Sequence, residues 1–460
     1  MRMARYLAWK SRRRIICFAL TTMNLYLETK SSTVNTSKRT STSRLAAASA
    51  VGTTLEWYDF TVYNTLAALI FNRLFFPSFD PLVGTILAFS TYAVGYISRP
   101  IGGLVFGHLG DKLGRRFVLF VTVAIMGLTT ALMGLLPTYL SGGILSPILL
   151  VTLRFAQGIA LGGEWAGAVL ISVEHGDQQR RGRNASFTQL GPALGTLLAT
   201  GCIGLITNLL SPDDFLAWGW RVPLLSSLIL VGFGVWIRLS VDETPMFKEL
   251  EESGAKAKTP IADVLRLFGR RLLIAGGVRV GSDVHYALIA VFSLTYVTTV
   301  LNLPRTLALT AIMIGTVFNA VAIPLCGGLS DRIGRRPVYA AGTVLAMLWA
   351  FGFFILADRA NGVSIVMAVV IGYLIHALMF GPQAAFVTEQ FPTRVRYAGS
   401  SLAYTLAGIL GGAFAPLTMA SLLQVYRTTT GISWYIVGTL CVTLVALLLA
   451  RETAKRPLEQ

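Results

Sequence analysis

Twelve runs of about 20 predominantly apolar residues fill almost all of the chain between residues 45 and 450. No other feature constrains the fold as strongly. The runs cover approximately residues 45–71, 82–109, 117–137, 147–172, 185–210, 221–240, 271–300, 305–329, 337–357, 363–388, 397–424 and 432–450. A helix of that length crosses the hydrocarbon core of a bilayer while satisfying its own backbone hydrogen bonds. Hydrophobic residues make up 54% of the chain and charged residues 13%, against about 25% charged in an ordinary soluble domain. The expected fold class is therefore an all-α membrane protein with twelve transmembrane helices. Short polar links join the runs, except for a longer insert at about 241–270. It separates two six-helix bundles, 45–240 and 271–450, flanked by tails at 1–44 and 451–460.

The net charge of +17 could suggest nucleic acid, but its distribution excludes that reading. If the N-terminus is cytoplasmic, the cytoplasmic segments hold 30 of the 39 basic residues and the opposite face holds four, Arg73, Arg305, Arg359 and Arg427. That is the positive-inside asymmetry of a multi-pass protein of the cell membrane with both termini cytoplasmic. Ten basic residues and one acid, Glu28, precede the first span. Arg12–Arg14 followed by Ile15–Leu20 imitates a signal peptide, but the apolar stretch is short and no clear cleavage site follows. A basic tail against anionic headgroups is the expected reading. Within the insert, Thr259 and Pro260 form an N-cap and N1 pair. Ile261, Val264, Leu265 and Phe268 then recur at helical spacing, as in an interfacial helix tying the two bundles together.

The chain also repeats itself. Gly107–Arg116 reads G-H-L-G-D-K-L-G-R-R, and Gly327–Arg336 reads G-G-L-S-D-R-I-G-R-R. Asp111/Asp331, Arg115/Arg335 and Arg116/Arg336 are each 220 apart, and Glu174/Glu389 and Arg181/Arg396 are each 215 apart. A weaker third repeat sets Asp242-Glu-Thr244 against Arg451-Glu-Thr453.

With these paired loops after spans two and eight, the chain resembles the major facilitator superfamily over residues 45–453. Further stretches resemble its metabolite:proton symporter family: Glu56-Trp-Tyr-Asp-Phe60, Arg99-Pro-Ile-Gly-Gly103, Arg154-Phe-Ala-Gln-Gly158, Gly162-Gly-Glu-Trp165 and Gly381-Pro-Gln383. Ser78–Thr85 and Trp218–Pro223 look like its shikimate-transporter branch. The resemblance implies two pseudo-symmetric bundles, alternating access, and proton symport of a small, carboxylated metabolite, shikimate-like or a dicarboxylate. A proton-driven exporter or antiporter and a facilitative uniporter are the alternatives, and a membrane-embedded sensor is a remote one.

Nine charges lie within or at the edges of the spans: Glu56, Asp59, Arg99, Arg154, Glu164, Arg221, Arg238, Arg279 and Asp283. Each would cost about 2.5–3.5 kcal/mol at the bilayer centre, so each should be paired or face a wet cavity. Arg221 and Arg238, at the ends of span six, can snorkel. Glu56 and Asp59 share one face of span one, and Arg154, Gln157 and Glu164 lie along span four. The resemblance to proton-coupled sugar porters pairs Asp59 with Arg154, making Asp59 the coupling site, with Glu56 sharing the titration. Arg154 would bind substrate once Asp59 is protonated, with Gln157 beside it.

Arg279 and Asp283 stand at i, i+4 with Tyr286 on the same face, either as a local ion pair or as anion ligands. The family more often carries Arg followed by Glu-Asn, so Arg279-Val-Gly-Ser-Asp283 departs from its pattern. Asn319, Gln383 and Tyr404 would line a central cavity. His285 and His376 are core residues or relays, and Trp57, Tyr58 and Trp165 are packing or binding residues. By resemblance, Asp111, Arg115, Glu174 and Arg181 form one cytoplasmic gating lattice, and Asp331, Arg335, Glu389 and Arg396 form its counterpart. Small-residue steps such as Gly103/Gly107, Gly158/Gly162, Gly191/Gly195 and Gly408/Gly412 suit close helix packing.

The residues exclude most other chemistry. Cys17, Cys202, Cys326 and Cys441 have no metal-ligand spacing, and no nucleophile–base arrangement is present, so the chain should be neither an enzyme nor a metalloprotein. The loop at Gly110–Arg116 lacks the G-K-[S/T] ending of a phosphate cradle. No cofactor is expected. The partners are a small organic acid, protons and the bilayer, with the protein a monomer.

Overall fold

The computed structural model describes residues 42–78, 87, 91, 94–175, 178–239 and 260–458. The expected N-cap Thr259 and the insert before it lie outside the described residues, as does the tail 1–41. So do the side chains of Arg115, Arg116, Glu174 and Arg238.

Ten helices are long and apolar enough to cross a membrane among the described residues, and two further helices begin at Thr42 and Arg99. We number them α1 (Thr42–Leu66), α2 (Arg99–Leu113), α3 (Arg115–Leu135), α4 (Leu145–His175), α5 (Arg181–Thr188, resuming at Gly191–Leu209) and α6 (Ser227–Leu239, preceded by Arg221–Leu225). The short helix α7 (Pro260–Leu267) precedes α8 (Gly269–Ala287), α9 (Arg305–Ile333), α10 (Arg335–Ala357), α11 (Gly362–Thr388), α12 (Arg396–Ala407, resuming at Ala415–Tyr426) and α13 (Thr430–Leu449). The chain is thus an all-α membrane protein of two six-helix bundles, α1–α6 and α8–α13. Exposed Leu, Ile, Val and Phe side chains ring both bundles, as a lipid-facing surface requires.

Small residues let the helices approach. A Cβ on Gly162 would collide with the Arg99 carbonyl, and one on Gly102 with the Ile159 carbonyl, so α2 and α4 touch backbone to backbone. Gly191 and Gly195 serve the α1–α5 contact in the same way, against Thr53 and Thr54. Wider π turns interrupt α8 at Leu288–Phe292 and α12 at Gly408–Ala413. Arg221 donates to the carbonyls of Gly134 (2.7 Å) and Leu136 (2.8 Å), closing the open end of α3 as a structural anchor.

The two bundles meet on the face that carries the repeated loops, here called the motif face. The leading glycine of each loop makes the contact. A Cβ at Gly327 would stand 2.7 Å from the Gly182 carbonyl, and one at Gly107 would stand 3.0 Å from Ala398 Cα. Beside Gly327, Asp331 accepts from the backbone N–H groups of Gly182 (2.8 Å) and Arg183 (2.9 Å), across the bundle boundary. Asp111 accepts from the Ala398 N–H (3.0 Å), so each repeat uses its Asp to grip the opposite bundle. Tyr397 adds a hydrogen bond to the Gly163 carbonyl at 2.7 Å.

One gating residue, Arg181, is placed differently from the sequence expectation. Arg181 of the first bundle joins the set of the second: it pairs with Glu389 at 3.3 Å, and Glu389 also pairs with Arg335 at 3.2 Å. Arg335 holds Asp331 at 2.6 Å. Arg396 is buried and donates to the Phe391 carbonyl (3.1 Å) within its own bundle. The regrouping follows from backbone placement, since α5 begins at Arg181 and packs against the motif-face end of α9.

The segment after α13 is woven into this lattice. Arg181 donates to the carbonyls of Thr453 (3.2 Å), Ala454 (3.2 Å) and Arg456 (2.7 Å), and the Thr453 hydroxyl donates to Glu389. Glu452 accepts from the N–H groups of Arg335 and Arg336, both at 2.9 Å, and so caps α10. Half-burial pushes the Glu452 carboxyl up, but hydrogen bonds from the N–H groups of Ala454, Arg336, Arg335 and Thr453 outweigh it and hold the carboxyl below its ordinary range. Helix α7 completes the face by burying Val264, with Ile261 and Phe268 partly buried, in a cluster drawn from both bundles. Leu265, expected on that stripe, is instead 55% exposed: Ile261, Val264 and Phe268 already follow the 3-4 helical step, and Leu265 is turned away.

Two outcomes test this closure. Gly327→Val should disfavour the closed motif face by about 1–3 kcal/mol, the usual cost of overpacking. Spin labels on the motif-face ends of α5 and α9 should then report a longer mean distance, and an unchanged distance would refute the contact. Because the folded Glu452 carboxyl is depressed, its stabilisation is present above the ordinary glutamate range and is lost as pH falls through the folded value. Glu452→Gln should abolish that acid-side loss and weaken the cap by about 1 kcal/mol, measured as thermal stability against pH.

Candidate functional site

Between the bundles lies a cavity of about 200 Å³. The first bundle contributes Trp57, Phe60 and Asn64 from α1, Tyr96 just before α2, Arg99 at the start of α2, and Thr196 from α5. The second contributes Arg279, Asp283 and Tyr286 from α8, Tyr373, His376 and Phe380 from α11, and Tyr404 from α12. Both interrupted helices border the space, through Ala290 and Val291 of the α8 turn and Gly412 of the α12 turn. The cross-bundle hydrogen bonds described above lie on the motif side of this cavity.

Arg279 is buried and partly engaged. Its Nε pairs with Asp283 at 2.9 Å, and one terminal amino group donates to the Tyr404 carbonyl. Its guanidinium also lies 3.2 Å from the centroid of the Tyr404 ring. Tyr404 stacks on Trp165 of α4 at 3.9 Å with 16° between planes, and Trp165 donates its indole N–H to Gln189 at 2.9 Å. A cation, two rings and an amide thus form a continuous column from one bundle into the other. Such stacking is worth about 0.5–2 kcal/mol per contact.

Arg99 is placed differently. Its guanidinium lies 3.9 Å from the Tyr96 ring centroid and 4.8 Å from that of Phe60. Among the described residues it has no ion pair or hydrogen bond, and its buried Nε is unsatisfied. Asp283, on the other bundle, acts on it electrostatically without touching it. The sequence reading counted Arg99 as an intramembrane charge and gave it no role. Its signal was the missing partner, since no acid stands at i±3 or i±4 on its own helix.

The expected residues divide into two groups. Arg279, Asp283, Tyr286 and Tyr404 line the cavity. Arg154, Gln157, Asn319 and Gln383 lie outside its wall, fully or almost fully buried. Arg154 donates to Gln157, and to Asn64 at 3.1 Å, and lies over the Tyr63 ring at 4.0 Å. Gln157 in turn donates to Thr130 at 2.7 Å. Asn319 donates to the Tyr373 carbonyl at 2.7 Å, tying α9 to α11. Among the described residues, Gln383 has no hydrogen-bond partner for either side-chain polar atom.

The expected Asp59–Arg154 pair is not formed in this conformation. Phe60, Tyr63 and Asn64 face Arg154, whereas Asp59, one residue round the helix, faces Thr130 and Ser227. The Thr130 hydroxyl donates to the Met126 carbonyl and accepts from Gln157, so it has no proton left for Asp59. Asp59 Oδ1 is buried without a hydrogen-bond partner among the described residues. Glu164, also buried, accepts from Thr122 at 3.2 Å, and Glu56 acts electrostatically on Tyr404. His285 bonds the Gly372 carbonyl at 3.1 Å and stacks with His376 at 6.4 Å. Tyr58 is a packing residue, donating to the Pro223 carbonyl at 3.1 Å.

Comparison with known proteins matches this architecture. The family model described as Major Facilitator Superfamily matches residues 49–416. The chain is 36% identical to the inner membrane metabolite transport protein YhjE of Escherichia coli, over 91% of this chain and 96% of that protein. It is 38% identical to the shikimate transporter of the same organism, over 83% and 88%, and 32% identical to its proline/betaine transporter, over 90% and 84%. The solved proton:xylose symporter XylE, bound to 6-bromo-6-deoxy-D-glucose, superposes with a TM-score of 0.73 at 18% identity, covering 91% and 97%. The fold, the repeated loops and these relatives agree: the chain is a membrane transporter, not an enzyme, and belongs to the major facilitator superfamily.

Proposed function

We propose that the protein is a proton-coupled symporter of a small carboxylated metabolite, working by alternating access as a monomer in the inner membrane. The observation that carries the reading is Arg99: a guanidinium at the cavity wall, lying against two aromatic rings, with no acid in contact among the described residues. A buried cation without a partner is costly, and a substrate carboxylate supplies the partner it lacks. Arg279 then orients the anion from the other bundle, so that binding draws the two bundles together. The relatives named for metabolite and shikimate transport support this class of cargo. The asymmetry of basic residues supports a cytoplasmic motif face with both termini on that side.

Asp59 is the proposed proton carrier. Its placement without a touching cation suits the protonated half of the cycle, in which Arg154 is held by Gln157 and Asn64 instead. When the proton leaves, the carboxylate needs a cation, and Arg154 is at hand on the neighbouring helix. Closing and opening of the motif-face lattice then alternates with exposure of the cavity to the two sides.

The test is uptake of labelled organic acids into proteoliposomes under an imposed proton gradient. Arg99→Gln should raise KM at least about 30-fold, corresponding to the lower end of the roughly 2–5 kcal/mol for an unpaired buried charge. Asp59→Asn should abolish gradient-driven accumulation while retaining exchange of substrate for substrate. Full accumulation by Asp59→Asn would remove the coupling role. Accumulation by the wild type only when the gradient drives export would replace symport with antiport.

A further inference from the structure

We propose that the cavity selects singly charged, hydroxylated carboxylates, and that Asp283 is the residue that excludes dicarboxylates. This rests on the reading that the cavity takes an organic anion, and it narrows that reading to one charge class. Three charged side chains stand in the described wall, namely Arg99, Arg279 and Asp283. The wall therefore carries one excess positive charge. The other intramembrane acids, Glu56, Asp59 and Glu164, are buried and are not among its lining residues.

The two guanidiniums are not equivalent. Arg279 spends its Nε–H on Asp283 and one amino group on the Tyr404 carbonyl. Arg99 spends none of its five donors on a described residue. One carboxylate is thus accommodated at Arg99, steadied by what remains of the Arg279 fork. A second carboxylate on the same molecule would share a space of about 200 Å³ with Asp283. In surroundings of low dielectric, that like-charge contact is strongly unfavourable.

The remainder of the wall indicates the body of the ligand. The rings of Phe60 and Tyr96 lie against Arg99 and give the wall an aromatic patch there. Tyr286 lies within electrostatic range of Tyr96, Tyr373 and Tyr404, which gathers several phenol groups on one side. Asn64, Thr61 and Thr196 add polar groups from α1 and α5. A compact ring carrying hydroxyls suits both surfaces, whereas a simple aliphatic diacid has no ring face to lay on the aromatic patch.

The experiment is ligand-induced thermal stabilisation of the purified full-length protein, with Kd taken from its concentration dependence. The probes are shikimate and quinate as hydroxylated monocarboxylates, succinate and 2-oxoglutarate as dicarboxylates, and betaine as a zwitterion. In the wild type, the hydroxylated monocarboxylates should bind about tenfold or more tightly than either dicarboxylate. Asp283→Asn, which leaves the wall with two excess positive charges, should shift that ratio by about tenfold towards the dicarboxylates. If Asp283→Asn does not fold, the wild-type ratio decides the selectivity and Asp283→Ser, read in the same way, decides the role of Asp283. Equal or tighter dicarboxylate binding in the wild type would overturn the selectivity while leaving the anion reading in place, as would an Asp283→Asn effect equal on both classes. Failure of every carboxylate to bind would overturn the anion reading itself, and the selectivity with it.

Discussion

The cost of holding charge in an apolar medium organises this molecule. A bilayer leaves an ionised side chain a few options: a partner, an aromatic face, or a wet cavity. Each intramembrane arginine whose side chain is described occupies one of these. Arg154 is held by two amides and a ring, Arg279 by an acid, a carbonyl and a ring, and Arg221 by two helix-end carbonyls. Arg99 has only rings and the cavity. Against that background its lack of an acid is informative, because elsewhere the fold has satisfied the same chemistry with its own groups.

The same constraint explains how the bundles are joined. Deep in the membrane they touch through the Arg279–Tyr404–Trp165 column, which spreads a cation over two rings and leaves no charge unpaired. At the motif face, where ionic contact is cheap, they are joined by Arg181, Glu389, Arg335 and Asp331 together with backbone N–H groups. Individual ion pairs of this kind are weak when wet. Here Glu389 and Arg335 are almost fully buried and share partners, so the lattice acts as a unit. Its weak point is the close approach of Gly182 and Gly327, where there is room for no side chain at all.

Fold class was legible because hydrophobic run length is a direct consequence of bilayer thickness, and the repeat exposed the duplication. Half of the expected substrate residues were placed correctly too: Arg279, Asp283, Tyr286 and Tyr404 have polar or aromatic side chains in apolar spans and line the cavity. What could not be read was rotation about the helix axis. Asp59 and Phe60 are adjacent in sequence but face different neighbours, and that single step separates the expected Asp59–Arg154 pair. Leu265 and Arg181 show the same limit. Periodicity gives a stripe, but which neighbour the stripe meets depends on packing between distant segments. The role of residues 451–456 was not visible either, since backbone carbonyls do most of that work and leave no trace in residue type.

In the proposed cycle these levels connect. The Arg279 that would steady a substrate carboxylate also lies on Tyr404, and Tyr404 lies on Trp165 of the opposite bundle. An anion drawing Arg279 towards Arg99 competes with the carbonyl and ring that hold it to α12. Substrate binding therefore acts on the contact that joins the bundles just above the motif-face lattice. Gln189 extends the link, since it accepts from Trp165 and donates, at 3.4 Å, to the Phe380 carbonyl of α11. Both of its neighbours reach the region of the cavity, one through Tyr404 and the other directly. A substrate that satisfies Arg99 without disturbing Arg279 would occupy the cavity yet leave this column intact. For that reason charge match at both guanidiniums, and not affinity alone, would separate a transported molecule from an inhibitor.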